Sequence, residues 1–518
     1  MRETYLHYLQ LRQELTRWLT QSALMDGPGR NRGGEDEANY ALTWLPHYLV
    51  TGDEDLVARF HSLLDDLANW VESDGRHGYE PEAEAHHGTE PFLLFLPRYL
   101  GLFPDDEKAR SLLEDVAHHI GNWADGVPDW YDYERDCFHS YRIGSQVVGG
   151  DRAFAFELAE HFRFVHIALA AHRVLGEARY LEWALRYGRR RAERLLEAGD
   201  GPIPVLWDLE GRGLLTADLE TREQRSMAAS SHHLDGDPLA GLENLLASGA
   251  IYALGDLYRL SGEQVFREAA LCLAKPLVGE LLDPFADPAA AALIYYRAAF
   301  DDGSLDRAIE EILQGLPPAS EAEWAMIFPQ VRGRREPGVG KRNDMIYWGE
   351  WSDDGSVRPL REPCTGTLAL AYQLSGDVTF AQRAFKGAAT KFAMARRVLR
   401  GGREHTDMGG AICSVAAGHG RNWGYGAVTG CYGPLLLGAR EVQSKVTPLI
   451  EVRDGSGRGA IPEEVVSLVR PPVAGDGDVV FYNGGEAEVR FAWRHGDAEW
   501  SDVALGVDEL RRFQIAGA

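Results

Sequence analysis

The sequence predicts a mainly α-helical fold in which six α-hairpins close into a ring, followed by a small antiparallel β domain. Six short turns each separate an apolar, small-residue-rich helix from an amphipathic one; they occupy residues 48–53, 99–105, 172–177, 258–263, 298–303 and 372–377. The hairpin turns span about four residues, whereas the segments that lead into the apolar helices reach roughly forty. After Glu441 the apolar pattern changes from helical to strand-like.

Each turn combines the end of one helix with the start of the next. Gly176, Gly262 and Gly376 stand where helix C-termini favour glycine, and an acidic residue follows each of them as an N-cap. The repeat predicts that the apolar helices line the inside of the ring and that the amphipathic helices form its outer wall. An open superhelix of hairpins buries its core in the same way and is the alternative. Long loops on one side only favour the closed ring.

The two ends of the chain differ from the repeat. Residues 3–23 predict a lead-in helix, and the segments 446–452, 464–469, 478–482 and 487–493 predict strands. We therefore expect a ring over residues 1–440 and a β-rich domain over residues 441–518. The β-rich domain is expected to be too small and too late in the chain to hold the main chemistry.

This arrangement resembles the (α/α)6 toroid of carbohydrate-active enzymes, the glycoside hydrolases and polysaccharide lyases built on that fold. The resemblance covers roughly residues 36–440 and lies in the architecture. It implies an enzyme that cleaves glycosidic bonds, with an oligosaccharide as its partner.

Composition narrows the partners. A formal net charge of −26 argues against a general binder of nucleic acid or anionic membranes, and no run of eighteen apolar residues predicts a membrane span. Five cysteines without a Cys-x-x-Cys pair favour reduced thiols in a cytoplasm. The sequence predicts no cofactor and no metal, and it leaves a homo-oligomer open.

The strongest candidate cluster centres on Glu350. Trp348 and Trp351 flank it, Tyr347 precedes it and Asp353 follows it. Aromatic neighbours are expected to desolvate the Glu350 carboxyl and raise its pKa, as a general acid requires. The alternative is an ionised Glu350 paired with Arg342 or Arg358 and without a catalytic role.

An earlier loop alternates aromatic and acidic residues around Trp130 and Tyr131, which suits a sugar that stacks on rings while its hydroxyls meet acceptors. The following helix is predicted to begin at Asp151 and to place Glu157 and His161 on one face, at positions i and i+4. They are site residues if that face lines the ring cavity, and otherwise a satisfied polar pair.

Two further loops supply candidate groups. His232 and Asp235 have no structural explanation, unlike the N-cap Asp237 that follows them. A glycine-dense segment near the end of the ring lets backbone approach a ligand closely, and its polar and aromatic residues are His405, His419, Arg421, Asn422, Trp423 and Tyr425. We predict catalytic roles for Glu350, Asp353, Tyr347, His419, His232 and Asp235. Substrate contacts are predicted from Arg342, His161, Trp130, Tyr131, Trp348, Trp351 and the remaining residues of the glycine-dense segment.

The preferred function is an exo-acting glycoside hydrolase of uronic-acid-containing oligosaccharides, such as a β-glucuronidase. Hydrolysis typically uses two carboxyls, and arginine and histidine side chains suit a uronate. A uronate lyase is the main alternative; the resemblance implies that it would use a Tyr or His base, with Asn, His or Arg neutralising the uronate.

Three further classes of protein fit the same ring. Glu362–Pro363–Cys364, with Cys413 and Cys431 downstream, resembles the Glu-x-Cys pair of toroid β-L-arabinofuranosidases that use a zinc-bound cysteine. A sugar epimerase also uses this fold. A glycan-binding protein without catalysis would show aromatic residues without convergent acids, and the loops contain both.

Overall fold

The computed structural model describes residues 1–23, 44–73, 76–85, 89, 91–230, 240–282, 287–327, 347–396 and 428–517. Helices dominate these residues, with short antiparallel sheets between and after them. In chain order the α-helices are α1 (Arg2–Ala23), α2 (44–51), α3 (Glu54–Ser73), α4 (Leu96–Leu102), α5 (Glu107–His118), α6 (Phe162–Leu175), α7 (Ala178–Glu197), α8 (Arg222–Ser230), α9 (Ala240–Ala247), α10 (Ala250–Ser261), α11 (Gln264–Ala274), α12 (Asp287–Phe300), α13 (Asp306–Leu313), α14 (Thr365–Ser375), α15 (Val378–Arg396) and α16 (Tyr432–Leu437).

The six predicted turns each join two helices. They connect α2 to α3, α4 to α5, α6 to α7, α10 to α11, α12 to α13 and α14 to α15. Gly176, Gly262 and Gly376 follow the last residues of their helices with φ of 77°, 73° and 71°, and the amide of each donates to a carbonyl of the preceding turn. Glycine reaches this left-handed conformation without steric cost, which is why it ends these helices.

The first helix of each pair is the more buried, as expected. Every residue of α6 from Phe162 to Ala171 is buried, and so is every residue of α10 from Ala250 to Leu257. By contrast, α7 buries one stripe that includes Tyr180, Trp183 and Tyr187 and exposes the rest. This difference sets α6 and α10 inside and α7 on the outer wall.

The ends of the helical series meet. Contacts between the buried helices run from α4 to α6, α10, α12, α14 and α16, and the outer helix α1 packs along α15. His47 of α2 hydrogen-bonds the Tyr432 hydroxyl of α16 at 3.1 Å, and the rings of Tyr8 and Tyr432 stack at 6.5 Å. Helices α1 and α16 thus form an additional pair beside the six hairpins.

The strands form small antiparallel sheets. Within the helical part they are β1 (Ala83–Glu84), β2 (Tyr131–Asp132), β3 (Cys137–Phe138), β4 (Arg142–Ile143), β5 (Phe156–Glu157), β6 (Leu206–Asp208), β7 (Gly213–Leu214), β8 (Trp324–Ile327), β9 (Tyr347–Trp351) and β10 (Val357–Pro359). These short strands, which the sequence pattern did not predict, lie in the segments that lead into buried helices. They pair as β1–β4, β2–β3, β5–β6–β7 and β8–β9–β10.

The C-terminal strands are β11 (Arg440–Val442), β12 (Lys445–Thr447), β13 (Ile450–Arg453), β14 (Val465–Arg470), β15 (Gly477–Asn483), β16 (Val489–His495), β17 (Ser501–Leu505) and β18 (Leu510–Ile515). One hairpin, β11–β12, precedes two three-stranded sheets in the orders β13–β16–β17 and β14–β15–β18. Phe481 joins the two sheets, with its ring 5.0 Å from Phe491 and 5.6 Å from Trp493. The four predicted strand segments all coincide with strands here.

One helix prediction is wrong. Asp151 caps a short 3-10 turn at Arg152–Phe154, Glu157 lies in β5, and the helix itself begins only at Phe162. The i, i+4 relation between Glu157 and His161 on one helix face therefore does not exist. In the part of the chain that the structure describes, no helix combines the length and the apolar character needed to cross a bilayer.

Candidate functional site

A cavity of about 120 Å³ lies where the N-terminal parts of inner helices meet the β11–β12 hairpin. Leu94 stands just before α4, His166 lies in the second turn of α6, and Gly249 is the N-cap of α10. The polar side chains among its lining residues are Arg98, His166, Tyr252, Tyr295, Thr429, Arg440, Glu441 and Ser444.

The β11–β12 hairpin reaches this cavity because its turn is tight. Gln443 and Ser444 adopt φ of 49° and 55°, the left-handed pair that a two-residue hairpin turn requires. The Gln443 amide donates to Asp256 Oδ2 of α10 at 2.7 Å, and Ser444 is buried. Part of the C-terminal segment thus lines the central cavity, contrary to the expectation that this segment stands apart from the chemistry.

An ion pair joins the hairpin to α4. Arg98 donates through Nη2 to Glu441 Oε1 at 2.8 Å and through Nη1 to the carbonyls of Leu93 and Leu94 at 3.0 and 2.8 Å. Glu441 Oε2 and Arg98 Nε are buried atoms and have no hydrogen-bond partner among the described residues. Because buried polar atoms are normally partnered, one acceptor and one donor are left to meet a ligand.

His166 is a neutral imidazole held from both sides. Its Nε2 lies 2.9 Å from the Gly249 carbonyl, and its Nδ1 lies 3.3 Å from Ser444 Oγ. Burial, together with the nearby Arg98 and Arg163, lowers the pKa of His166 to about 4. A carbonyl only accepts, so Nε2 carries the proton and Nδ1 accepts from Ser444. His166 therefore positions the hairpin turn and has no free nitrogen for proton transfer.

The contact between His166 and α10 requires glycine at position 249. Gly249 has φ of 71°, and a Cβ there would lie 2.7 Å from His166 Nε2. Any side chain at this position would strain the backbone and displace the imidazole.

Two tyrosines form an apolar wall with polar ends. The rings of Tyr252 and Tyr295 lie 4.3 Å apart, and the Tyr295 hydroxyl donates to the Tyr252 carbonyl at 3.2 Å. Burial and the nearby Asp256 raise the pKa of Tyr295, so its hydroxyl is neutral. Such a wall can pack against the C–H face of a sugar ring.

Behind the hairpin, Asp256 is buried and accepts from Arg259 Nη1 at 2.8 Å as well as from the Gln443 amide. Burial raises the pKa of Asp256 to about 7, against the opposing effects of Arg259 and the amide. Arg440 donates to the Ala298 carbonyl at 2.9 Å, and burial with the neighbouring Arg259 lowers the pKa of Arg440. The hairpin is thus fastened to α10 and α12 through groups sensitive to protonation.

The cavity has the opposite charge bias to the whole chain. Its described ionised side chains are those of Arg98, Arg440 and Glu441, an excess of positive charge in a chain of net charge −26. The N-terminal ends of α6 and α10 add the positive ends of their dipoles. This surrounding favours an anionic ligand.

The Glu350 cluster lies in a different place, on the sheet β8–β9–β10. Glu350 is buried and accepts from Arg358 Nε and Arg361 Nε, each at 2.7 Å, and from Ser320 Oγ at 2.5 Å. Burial alone would raise its pKa, but the hydrogen bonds from Ser320, Arg361 and Arg358 outweigh burial and lower it. The expected raised pKa is wrong, and the alternative of an ionised carboxylate paired with Arg358 is correct.

A surface pocket of about 470 Å³ adjoins this sheet, lined by Trp351, Asp353, Arg358, Arg361 and the segment 317–322. Trp351 is 46% exposed and Trp348 is half-buried, so the two rings do not enclose Glu350. The pocket and the central cavity share no lining residue among those that the structure describes. Asp353, Trp348 and Trp351 remain predicted contact residues at this surface.

Trp130 and Tyr131 are core residues, which corrects their predicted role as sugar-stacking groups. Trp130 is fully buried and donates through Nε1 to the Gly144 carbonyl at 3.0 Å. Tyr131 is 1% exposed and packs edge-on against Trp183 and Tyr187. A ring without an exposed face cannot stack on a ligand.

Glu157 and His161 form separate buried structural contacts. Glu157 accepts from Arg194 at 2.8 Å and Arg191 at 3.4 Å, and Tyr187 donates to it at 3.1 Å. His161 Nδ1 accepts from the Leu158 amide at 3.0 Å, and burial lowers the pKa of His161 to about 4. The expectation that His161 contacts substrate is therefore wrong.

The remaining predicted residues are not brought to the central cavity by the described structure. Tyr347 is the first residue of β9. The others lie outside the described residues and stay predictions: His232, Asp235, Arg342, His405, His419, Arg421, Asn422, Trp423 and Tyr425.

The cysteine–zinc alternative loses its glutamate. Glu362 accepts from Arg383 Nε at 2.7 Å and from the Ser320 amide at 3.0 Å, so its carboxylate is engaged in a structural ion pair. Cys364 and Cys431 are buried free thiols, and Cys413 lies outside the described residues.

The residues that line the central cavity were not selected from the sequence. Arg98 offered a signal, because it is the one charged residue in the apolar run 92–103 and a buried charge needs a partner. Asp256 is likewise the one acidic residue within α10. Glu441 and Ser444 offered none, since a polar hairpin is usually solvated.

No protein-family model and no curated protein sequence matches the chain. Solved structures with a similar fold are unsaturated glucuronyl hydrolases. That of Bacillus sp. GL1 has 13% identity and a TM-score of 0.42, covering 61% of this chain and 83% of its own. One specific for heparin has 12% identity and a TM-score of 0.41, covering 76% and 98%. That of Streptococcus agalactiae has 11% identity and a TM-score of 0.41, covering 60% and 80%.

The resemblance to toroid carbohydrate-active enzymes agrees with the class of these three structures, which are carbohydrate-active hydrolases. Similarity at these identities and TM-scores assigns neither a family nor an activity to the chain.

Proposed function

We propose that the protein is a glycoside hydrolase that removes a terminal uronic acid from an oligosaccharide bound in the central cavity. The observation that carries this proposal is the Arg98–Glu441 pair in the cavity wall, with one carboxylate oxygen and one guanidinium nitrogen left without partners among the described residues. A sugar presents hydroxyls that both donate and accept, so it satisfies both atoms.

The charge around the cavity supports an acidic sugar. Arg98 and Arg440 lie with Glu441 at the positive ends of inner helices, so a uronate carboxylate gains favourable interactions that a neutral sugar lacks. The Tyr252 and Tyr295 wall offers an apolar surface for the ring of the same sugar.

The size of the cavity supports exo action. About 120 Å³ is well below the roughly 300–1,000 Å³ typical of sites for larger ligands, so the described walls accommodate one ring and not a chain. The rest of the oligosaccharide then extends away from the cavity.

Glu441 is proposed as the carboxylate that activates water or stabilises positive charge at the sugar. Glycoside hydrolysis typically needs a second, protonated carboxyl on the other side of the bond. Glu350 does not suit that role, because two arginines hold it ionised on another surface. Among the predicted residues, Asp235 is the proposed second carboxyl.

Ring closure is part of the proposal. Packing of α1 along α15 and the His47–Tyr432 hydrogen bond support a closed toroid of six hairpins, completed by the α1–α16 pair. The domain boundary near residue 441, the cytoplasmic location and a homo-oligomer remain predictions. The free thiols of Cys137, Cys272, Cys364 and Cys431 support a reducing compartment.

One product assay tests the proposed activity. The purified protein is incubated with an aryl β-glucuronide, with an oligosaccharide ending in an unsaturated uronic acid and with a neutral aryl β-glucoside as the matched control. We expect new reducing ends from a uronate substrate and none from the glucoside. Ultraviolet absorbance that appears from a saturated uronate oligosaccharide would instead identify a lyase, because β-elimination creates a C4–C5 double bond. No cleavage of either uronate substrate would refute the proposal.

A further inference from the structure

We propose that His77, Asp115 and His119 form a binding site for a divalent transition metal such as Zn²⁺. One ligand atom from each of these residues lies within 4.8 Å of the other two. Two imidazoles and one carboxylate are the ligand set of many three-residue zinc sites that keep a fourth position for water. The site is separate from the central cavity, and it departs from the expectation of a chain without metal.

The helix α5 supplies two of the ligands in a fixed relation. Asp115 lies in its last turn and His119 is its C-cap, four residues later, so both side chains project from one face. His77 comes from the short 3-10 turn Arg76–Gly78 in the segment that leads to α4. A bound ion would therefore tie that segment to the end of α5.

The imidazoles are already oriented. His119 is 1% exposed, with its ring 5.4 Å from that of Tyr79 and 5.5 Å from that of Trp130. The His77 ring lies 5.2 Å from the His119 ring, and His77 Nδ1 lies 2.8 Å from Asp115 Oδ1. Trp130, predicted as a sugar contact, thus acts as a support for this cluster.

The backbone at His77 is unusual. Its φ of 54° and ψ of 28° lie in the left-handed region, which a non-glycine residue enters at a cost. The left-handed turn is the conformation that aims this imidazole at α5. Such strain is common where a side chain is held for a ligand.

The geometry fits a small ion after modest side-chain movement. Zinc ligands at about 2.0–2.1 Å from a tetrahedral ion stand roughly 3.4 Å apart. His77 and Asp115 are closer than that, and no pair in the cluster exceeds 4.8 Å. Their side chains are 38% and 39% exposed, so an ion can enter from solvent.

The test is equilibrium binding of Zn²⁺ alone to the full chain, measured by calorimetry and by metal content after dialysis. We expect one Zn²⁺ per chain. Asp115→Asn removes the carboxylate, and His77→Asn removes an imidazole while keeping a residue that tolerates the left-handed backbone. Each is expected to weaken binding by at least roughly tenfold, since even outer-shell changes cost 10–100-fold.

Glu114→Gln is the matched control, because it removes an exposed carboxylate from the same turn of α5 without touching the cluster. Co²⁺ added to the native chain should give the visible absorption of a four-coordinate ion, and Asp115→Asn should abolish it. Substoichiometric Zn²⁺ in the native chain would overturn the proposal. So would equal affinity of Asp115→Asn, His77→Asn and Glu114→Gln, since the ion would then sit elsewhere. These readouts do not depend on the proposed hydrolase activity.

Discussion

Two glutamates in this molecule have the same side chain and opposite surroundings. Glu350 of β9 accepts from two arginines and one serine, and its arginine partners are 41% and 63% exposed. Glu441 of β11 has one oxygen paired with the buried Arg98 and a second, buried oxygen without a partner among the described residues. A carboxylate whose hydrogen bonds are all made holds structure together. One that keeps an unpartnered oxygen in a cavity wall can meet a ligand.

The largest effect on stability is expected from Arg98→Met. This change leaves the largely buried Glu441 carboxylate without its cation and removes the donor to the carbonyls of Leu93 and Leu94. Breaking a buried pair from one side typically costs 3–5 kcal/mol, so we expect the free energy of unfolding in urea to fall by about 3 kcal/mol.

The double variant Arg98→Met/Glu441→Gln is the control for that measurement. Removing the charge of Glu441 should recover part of the lost stability, because the penalty comes from the uncompensated carboxylate. If the double variant is less stable than Arg98→Met by the full effect of Glu441→Gln, the two residues are not coupled and the cavity side of the comparison fails.

A smaller loss of stability is expected from Glu350→Gln. The amide keeps the shape of the side chain but loses two charge-assisted hydrogen bonds to arginines that remain partly hydrated, so the free energy of unfolding should fall by about 2 kcal/mol.

The matched control for Glu350 is Glu451→Gln, which breaks an exposed pair with Arg494. That change should cost about 0–1 kcal/mol. Equal losses at the two positions would show that the Glu350 cluster is no more than a surface ion pair.

The fold was more predictable than the site. The six hairpin turns could be located because glycine at a helix end and an acid at the next start are local signals. The inner position of α6 and α10 followed from their apolar composition. The pairing of α1 with α16 could not be predicted, because it joins residues more than four hundred positions apart without a local signature.

The candidate site was predicted poorly for a physical reason. Trp130 and Glu350 stand in sequences rich in aromatic and charged residues, and such composition suits a buried network as well as a ligand site. Whether a carboxylate is saturated depends on partners from distant segments. Ser320 and Arg361 reach Glu350, whereas Arg98 is the one described cation paired with Glu441. Sequence spacing contains no record of that count.

The smallest expected effect is a dependence on pH at the base of the hairpin. The pKa of Asp256 is raised to about 7 in the folded state, above its ordinary value. Its contribution to stability is therefore fully present below pH of about 4 and is lost as the pH rises through about 7. The free energy of unfolding should fall over this window in the native chain and fall less in Asp256→Asn. Identical pH profiles would show that Asp256 titrates normally.

The central claim is that Glu441 acts in catalysis and Glu350 does not. The most direct test is the turnover number of Glu441→Gln and of Glu350→Gln on one uronate substrate, normalised to the folded fraction of each variant. We predict that Glu441→Gln lowers turnover by a factor on the order of 10²–10⁴, as expected for loss of an acid–base group, while Glu350→Gln leaves turnover per folded molecule unchanged. A large loss in Glu350→Gln with none in Glu441→Gln would contradict the account.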